Sequence, residues 1–171
     1  MLTPITIGIS SCLLGNKVRY DGGHSHDRFL TQTLGLFTRY VPVCPEVECG
    51  MSIPREALRL TGDPEHPRLV TQKTGEDKTR QMQDWIKIRL KTLEKENLCG
   101  FIFRSKSPSS GLYRIRVYGD DGSVRKIGTG LFARAFVDHF PRIPVEEAGR
   151  LNDPGLRENF IETIFTLRRW R

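Results

Sequence analysis

No stretch of this 171-residue chain approaches the roughly 18 consecutive apolar residues of a bilayer-spanning helix, so no membrane partner is expected. The start, Met1-Leu2-Thr3-Pro4, lacks the basic residues and long apolar run of a secretory signal, and the expected location is the cytoplasm. Cysteine is scarce. Cys12, Cys44, Cys49 and Cys99 are too few for the disulfide framework of a small secreted protein, so these thiols are read as structural, metal-binding or catalytic. Internal repeats and low-complexity tracts are absent. Acidic residues are outnumbered, 20 against 27 Lys and Arg, and the resulting charge of +7 favours a polyanionic partner such as RNA or a phosphorylated substrate. A merely soluble basic protein is the plain alternative.

What is present alternates between strand and helix patterns. Residues 3–11 read as a buried first strand, Tyr40 to Val43 as a second and Gly100 to Phe103 as a third. Asp27 is a candidate cap for a helix with Phe29, Leu30, Leu34 and Phe37 on its apolar face. Residues 53–60 are ambiguous, and Arg68 to Thr71 read as a short edge strand. Residues 76–97 carry the longest helical period, through Met82, Ile86, Leu90 and Leu93. Tyr113 to Tyr118 alternates as a half-exposed strand, with Arg114 and Arg116 on one face. The turn Gly119-Asp120-Asp121-Gly122 joins it to residues 124–127. Residues 130–140 read as a helix and 143–145 as a last strand. A final helix begins with Pro154 at its first position. This order implies an α/β fold with an open, mostly parallel central sheet flanked by helices, Rossmann-like in three layers, and a small β-hairpin near the site.

Three of the apolar strands end in loops of small residues, and in open α/β sheets ligands bind beyond the carboxyl ends of the strands. The first loop carries Cys12, the second Cys44-Pro45-Glu46, and the third Ser105-Lys106-Ser107-Pro108-Ser109-Ser110-Gly111 without a cysteine. Cys-Pro recurs at iron–sulfur ligand positions, and a carboxylate beside a metal can act as a general base. Each cysteine taken alone reads equally as a small buried residue. Lys106 and its serines suit a phosphate-approaching loop, but the glycine spacing and Gly-Lys-Ser/Thr ending of a Walker loop are missing. Cys44, Cys49 and a histidine, His24 or His26, form an alternative zinc set, although only one close ligand pair is available. Cys99 is read as core.

Residues 9–15 (Ile-Ser-Ser-Cys-Leu-Leu-Gly), 18–23 (Val-Arg-Tyr-Asp-Gly-Gly), 43–46 (Val-Cys-Pro-Glu) and 105–111 together resemble the thiouracil desulfurase family, formerly domain of unknown function 523. The tail Arg150 to Phe160 resembles the subgroup in which this domain is fused to a second one. The resemblance implies a desulfurase-like domain over 1–149, and a C-terminal helix over 150–171 that is a candidate connection to a further domain. It implies a 4Fe-4S cluster held by three cysteines with one iron open. The reaction is non-redox replacement of a thiocarbonyl sulfur by oxygen from water, on thiouracil or on 4-thiouridine, in the fused subgroup within tRNA. Carried over by motif, Cys12, Cys44 and Ser110 occupy the metal-ligand positions, Glu46 and Ser107 the catalytic ones, and Ser109, Lys106 and Asp21 bind substrate. Ser110 departs from the family, which has cysteine there. A hydroxyl is a harder and far less acidic ligand than a thiol, so weaker cluster binding is expected. A non-catalytic RNA- or partner-binding module without a cluster is the competing expectation.

Overall fold

The computed structural model describes residues 3–171. Among the described residues, eight strands divide between two sheets of four. The first sheet runs β2-β1-β5-β8, where β1 is Ile5–Ser10, β2 Thr38–Val43, β5 Gly100–Phe103 and β8 Val145–Glu147. All its pairings are parallel, with Ser10 opposite Val43 and Ile9 opposite Ile102. Because they run the same way, every strand of this sheet ends at one edge. The chain leaves β1 toward β2 on one side and leaves β5 toward β8 on the other. That opposite departure opens a crevice above β1 and β5.

Alternation fixes what each face of this sheet buries. Ile5, Ile7 and Ile9 of β1 and Ile102 of β5 point to one side, against helix α4 (Pro154–Arg169) through Phe160 and Ile164. Phe101 and Phe103 point to the other side, where α2 (Thr79–Glu94) and α3 (Leu131–His139) bring Met82, Ile86, Phe132 and Phe136. Gly8 sits under Phe101, where a Cβ would come within 2.2 Å of the ring, so only glycine lets β5 pack its aromatic row across β1.

The second sheet runs β4-β3-β6-β7, with β3 Leu58–Thr61, β4 Arg68–Thr71, β6 Ile115–Tyr118 and β7 Val124–Gly128. The expected hairpin is therefore present as β6–β7, but it belongs to a full mixed sheet. The ambiguous stretch 53–60 runs into β3, one of its two interior strands: Leu58 and Leu60 are buried while Arg59 and Thr61 are less so, the signature of a half-buried strand. Arg68–Thr71 lies at the edge, as expected. Arg114 has φ 57° and precedes β6, so it does not share a strand face with Arg116. The exposed strand β7 carries Arg125 and Lys126, charges that discourage edge pairing.

Helix boundaries shift for local reasons. The long helix begins at Thr79 because Asp77 Oδ1 takes the Thr79 N–H at 2.9 Å, which places Asp77 outside the helix. The last helix starts where expected: Pro154 is at its first turn and Asp153 Oδ1 accepts from Leu156 N at 3.0 Å. The last strand of the first sheet lies slightly beyond 143–145, at Val145–Glu147. Asp27 does cap the segment after it, its Oδ1 accepting from Leu30 N. That segment is a π turn, Phe29–Thr33, followed by a 3-10 turn, Leu34–Leu36. The Leu30 carbonyl accepts the Tyr40 hydroxyl at 2.7 Å, which draws it out of a regular ladder. Among the described residues no helix is long and apolar enough to cross a membrane.

Candidate functional site

Cys12 and Cys44 follow directly on β1 and β2, and the serine loop follows β5, so the parallel register alone carries them to the same edge. There they line one cavity of about 320 Å³, together with Glu46, Lys106, Ser107, Ser109 and Ser110. Asp21 does not line it. Its carboxylate accepts from Gly23 N at 2.9 Å and stands 4.0 Å from Arg19, so it shapes the turn that carries Arg19 to the cavity wall.

Each functional side chain has a local reason for its place. Cys12 sits in the 3-10 turn Ser11–Leu14, closed by Gly15 at φ 94°, a left-handed backbone that glycine adopts without strain. Its carbonyl also accepts from Ser25 N at 2.9 Å, which pins the following loop. Cys44 caps α1, Pro45–Glu48, with Pro45 at the first position and Glu48 Oε2 reaching back to the Cys44 N–H at 2.7 Å. Glu46 then falls in the first turn of α1, directed at the serine loop.

The serine loop is seated on the start of α3. Pro108 O accepts from Leu131 N, and Ser109 O from Phe132 N and Ala133 N, so the loop's carbonyls cap the helix's free N–H groups. Gly130 makes this approach possible, since a Cβ there would lie 2.5 Å from Ser109 C and 2.7 Å from Ser110 N. Within the loop, Ser107 Oγ accepts from Ser110 N at 3.0 Å and lies 3.1 Å from Ser109 Oγ. Ser109 Oγ donates to Glu46 Oε1 at 3.2 Å. Ser107, Ser109 and Glu46 thus form a continuous hydroxyl–carboxylate chain along one wall.

Arg55 escaped the sequence pattern. Its Nε donates to Glu46 Oε2 at 2.8 Å and its Nη2 lies 2.7 Å from the same oxygen, with both side chains largely buried. It comes from the ambiguous segment before β3, and nothing in its spacing relates it to Glu46. With Arg19, Arg104 and Lys106 it gives the cavity four cations against one carboxylate, Glu46. Burial pushes the Cys12 thiol up, opposed by the nearby Arg104 guanidinium. Burial also pushes Cys44 up, and the negative charges of Glu46 and of an ionised Cys12 add to this, while Arg55 opposes it. Both thiols therefore favour a partner cation for their ionised form.

Cys12 and Cys44 could hold an iron–sulfur cluster at two corners as thiolates, and Ser110 offers only a hydroxyl, a poorer ligand for iron, beside them. Soft sulfur ligands from Cys12 and Cys44 match iron, Ser110 lines the same cavity, and the surrounding arginines offset the charge of ionised thiols. Among the described residues no group of three or more His, Cys, Asp and Glu side chains is placed to hold a metal ion. The zinc set is not assembled either. Cys49 Sγ donates to Glu46 O at 3.3 Å and packs on the core, while His24 and His26 are exposed and His26 bonds Thr31 Oγ1. Cys99 is core, 1% exposed.

A second, open groove of about 790 Å³ shares Lys106 and Pro108 with the cavity. Arg59, Arg114, Arg116 and Lys126 line it, with Arg59 stacked 4.8 Å over the Tyr118 ring.

A model of the 2-thiouracil desulfurase family matches residues 7–148. The chain is 30% identical over 131 residues to the uncharacterized protein YbbK of Bacillus subtilis (strain 168), spanning 73% of this chain and 85% of that protein. It is similar in structure to the 4Fe-4S-dependent thiouracil desulfidase TudS, with a TM-score of 0.71 and 28% identity over 91% of this chain and 98% of that one.

Proposed function

This chain belongs to the 2-thiouracil desulfurase family, and on that premise we propose that it replaces the thiocarbonyl sulfur of a thiolated uracil by oxygen from water. One observation carries the proposal: three parallel strand ends deliver two thiols, a carboxylate and a serine loop to a single cavity. Cys12, Cys44 and Ser110 would hold a 4Fe-4S cluster, which when bound supplies an open, sulfur-accepting Lewis-acidic iron. The chain's own residues do the rest. Val18, Val43 and Pro108 offer apolar walls to a planar ring. The Glu46 carboxylate takes the proton of the attacking water. The Ser107–Ser109–Glu46 chain, with contacts of 3.1 and 3.2 Å, carries a proton between carboxylate and ring. In balance, one C–S bond breaks, one C–O bond forms, and the two protons of water leave with sulfide.

The substrate of this reading extends from free thiouracil to 4-thiouridine within tRNA. The basic groove beyond Lys106, with its arginines and Tyr118, supports it because it would follow a phosphodiester backbone leading away from the cavity. Ser110 favours the second reading, a binding module that has lost the cluster.

Anaerobic reconstitution with iron and sulfide, then sulfide release from 4-thiouracil, 4-thiouridine and thiolated tRNA, separates the two. A partly occupied cluster with sulfide release is expected in the native chain, Ser110→Cys should raise both occupancy and release, and Glu46→Ala should abolish release while leaving cluster absorbance. Salt-sensitive tRNA binding with no turnover in either the native chain or Ser110→Cys would establish the module instead.

A further inference from the structure

We infer that Arg55 is the positioning residue of this site: its guanidinium fixes which oxygen of Glu46 faces the cavity. The inference rests on the desulfurase reading. Nε and Nη2 both bear on Oε2, at 2.8 and 2.7 Å, and this leaves Oε1 for Ser109 Oγ at 3.2 Å. The two carboxylate oxygens therefore have different tasks, one clamped and one directed at the serine chain.

The clamp is itself held. Arg55 Nη2 donates to Val18 O at 2.9 Å, Nη1 to Ser52 O at 3.1 Å, and the Arg55 backbone N–H to Tyr20 O at 2.8 Å. One side chain thus ties the loop after β1, the first turn of α1 and the approach to β3. Its side chain is 8% exposed and that of Glu46 14%, so water competes weakly for these contacts. A free glutamate would rotate about three torsions, and α1, four residues long, offers little else to restrain it. A planar fork suits this task because it meets the carboxylate and two carbonyls in fixed directions. A lysine ammonium brings the charge without that geometry. Misplacing a reacting group by about 1 Å is enough to cost roughly 100-fold in rate.

The test uses whichever of the native chain or Ser110→Cys releases sulfide from 4-thiouracil. Arg55→Met should lower kcat by about 10–100-fold, as expected for a residue that orients a catalytic group, and leave KM nearly unchanged. Arg55→Lys should restore only part of it, and added guanidinium at sub-denaturing concentration should rescue Arg55→Ala. A variant that melts earlier but keeps kcat would overturn the proposal and leave Arg55 a structural tie. The geometry is also read without turnover, from a crystal structure of Arg55→Met: Glu46 Oε1 should leave Ser109 Oγ, and Glu46 unmoved would overturn the proposal. If neither parent releases sulfide, the desulfurase reading fails separately, while the crystal structure still decides what Arg55 holds.

Discussion

At the scale of single residues, the site depends on a few positions where size or backbone conformation is decisive. Lys106 holds φ 60° at the head of the serine loop, a left-handed conformation that costs a non-glycine residue about 1–2 kcal/mol. Strain of this kind concentrates where a loop must present groups to a ligand. Gly130 is the other such position, since it lets the loop rest on the start of α3. Gly130→Ala forces a methyl against the backbone of Ser109 and Ser110 and should destabilise the protein by about 1–3 kcal/mol, as overpacking does. Urea denaturation measures this, and an unchanged midpoint would show that the loop yields freely. Cys12, Cys44 and Glu46 were legible in the sequence because each lies at or just after a strand end. Arg55 was not, because its partner stands nine positions away and only the fold joins them. The Asp-Gly-Gly turn was legible too, and the Asp21 carboxylate, a substrate-binding position by resemblance, accepts from Gly23 N within that turn.

At the scale of elements, register does the placing. The irregular turns of 29–36 are anchored to β2 by the Tyr40 hydroxyl on Leu30 O. Burial raises the Tyr40 pKa from 10.0 to about 12, with Asp27 nearby adding to the effect and a Thr38 hydrogen bond opposing it. The unfolded chain releases this proton first, so the contribution is intact below pH 10 and is lost as pH rises from there toward about 12. Tyr40→Phe should therefore lose less stability over that interval than the native chain, as seen in denaturation midpoints at successive pH values. Equal slopes would remove Tyr40 from the alkaline transition. The strongly periodic helices were readable to within a few residues, with their ends set by Asp77 and Asp153. Leu58–Thr61 was not, because a four-residue strand shows too little alternation to stand out until β4 and β6 flank it.

At the scale of the whole molecule, one core serves both sheets. Val41, Val43, Phe101 and Phe103 of the first sheet and Leu60, Leu69, Ile115 and Val117 of the second belong to a single buried cluster with α2 and α3. Phe132 is at its centre, fully buried and in ring contact with Phe101, Phe103, Phe136 and Trp85. Phe132→Ala should cost about 3–5 kcal/mol. Trp85, 5.4 Å from that ring, should lose its native fluorescence in the same transition as the far-ultraviolet circular dichroism signal. Two separated transitions would mean that the sheets unfold independently. By itself the sequence determined the α/β class, a mostly parallel central sheet and the cysteines and serine loop at strand ends, because hydrophobic period and turn chemistry are local properties of the chain. Tertiary structure alone decided that a second complete sheet forms, that Arg59 and Arg150 join the basic residues of the groove beyond Lys106, and that Arg55 clamps Glu46. These depend on contacts between distant segments, whose closeness is set by the burial of a shared core and leaves no periodic mark in the chain.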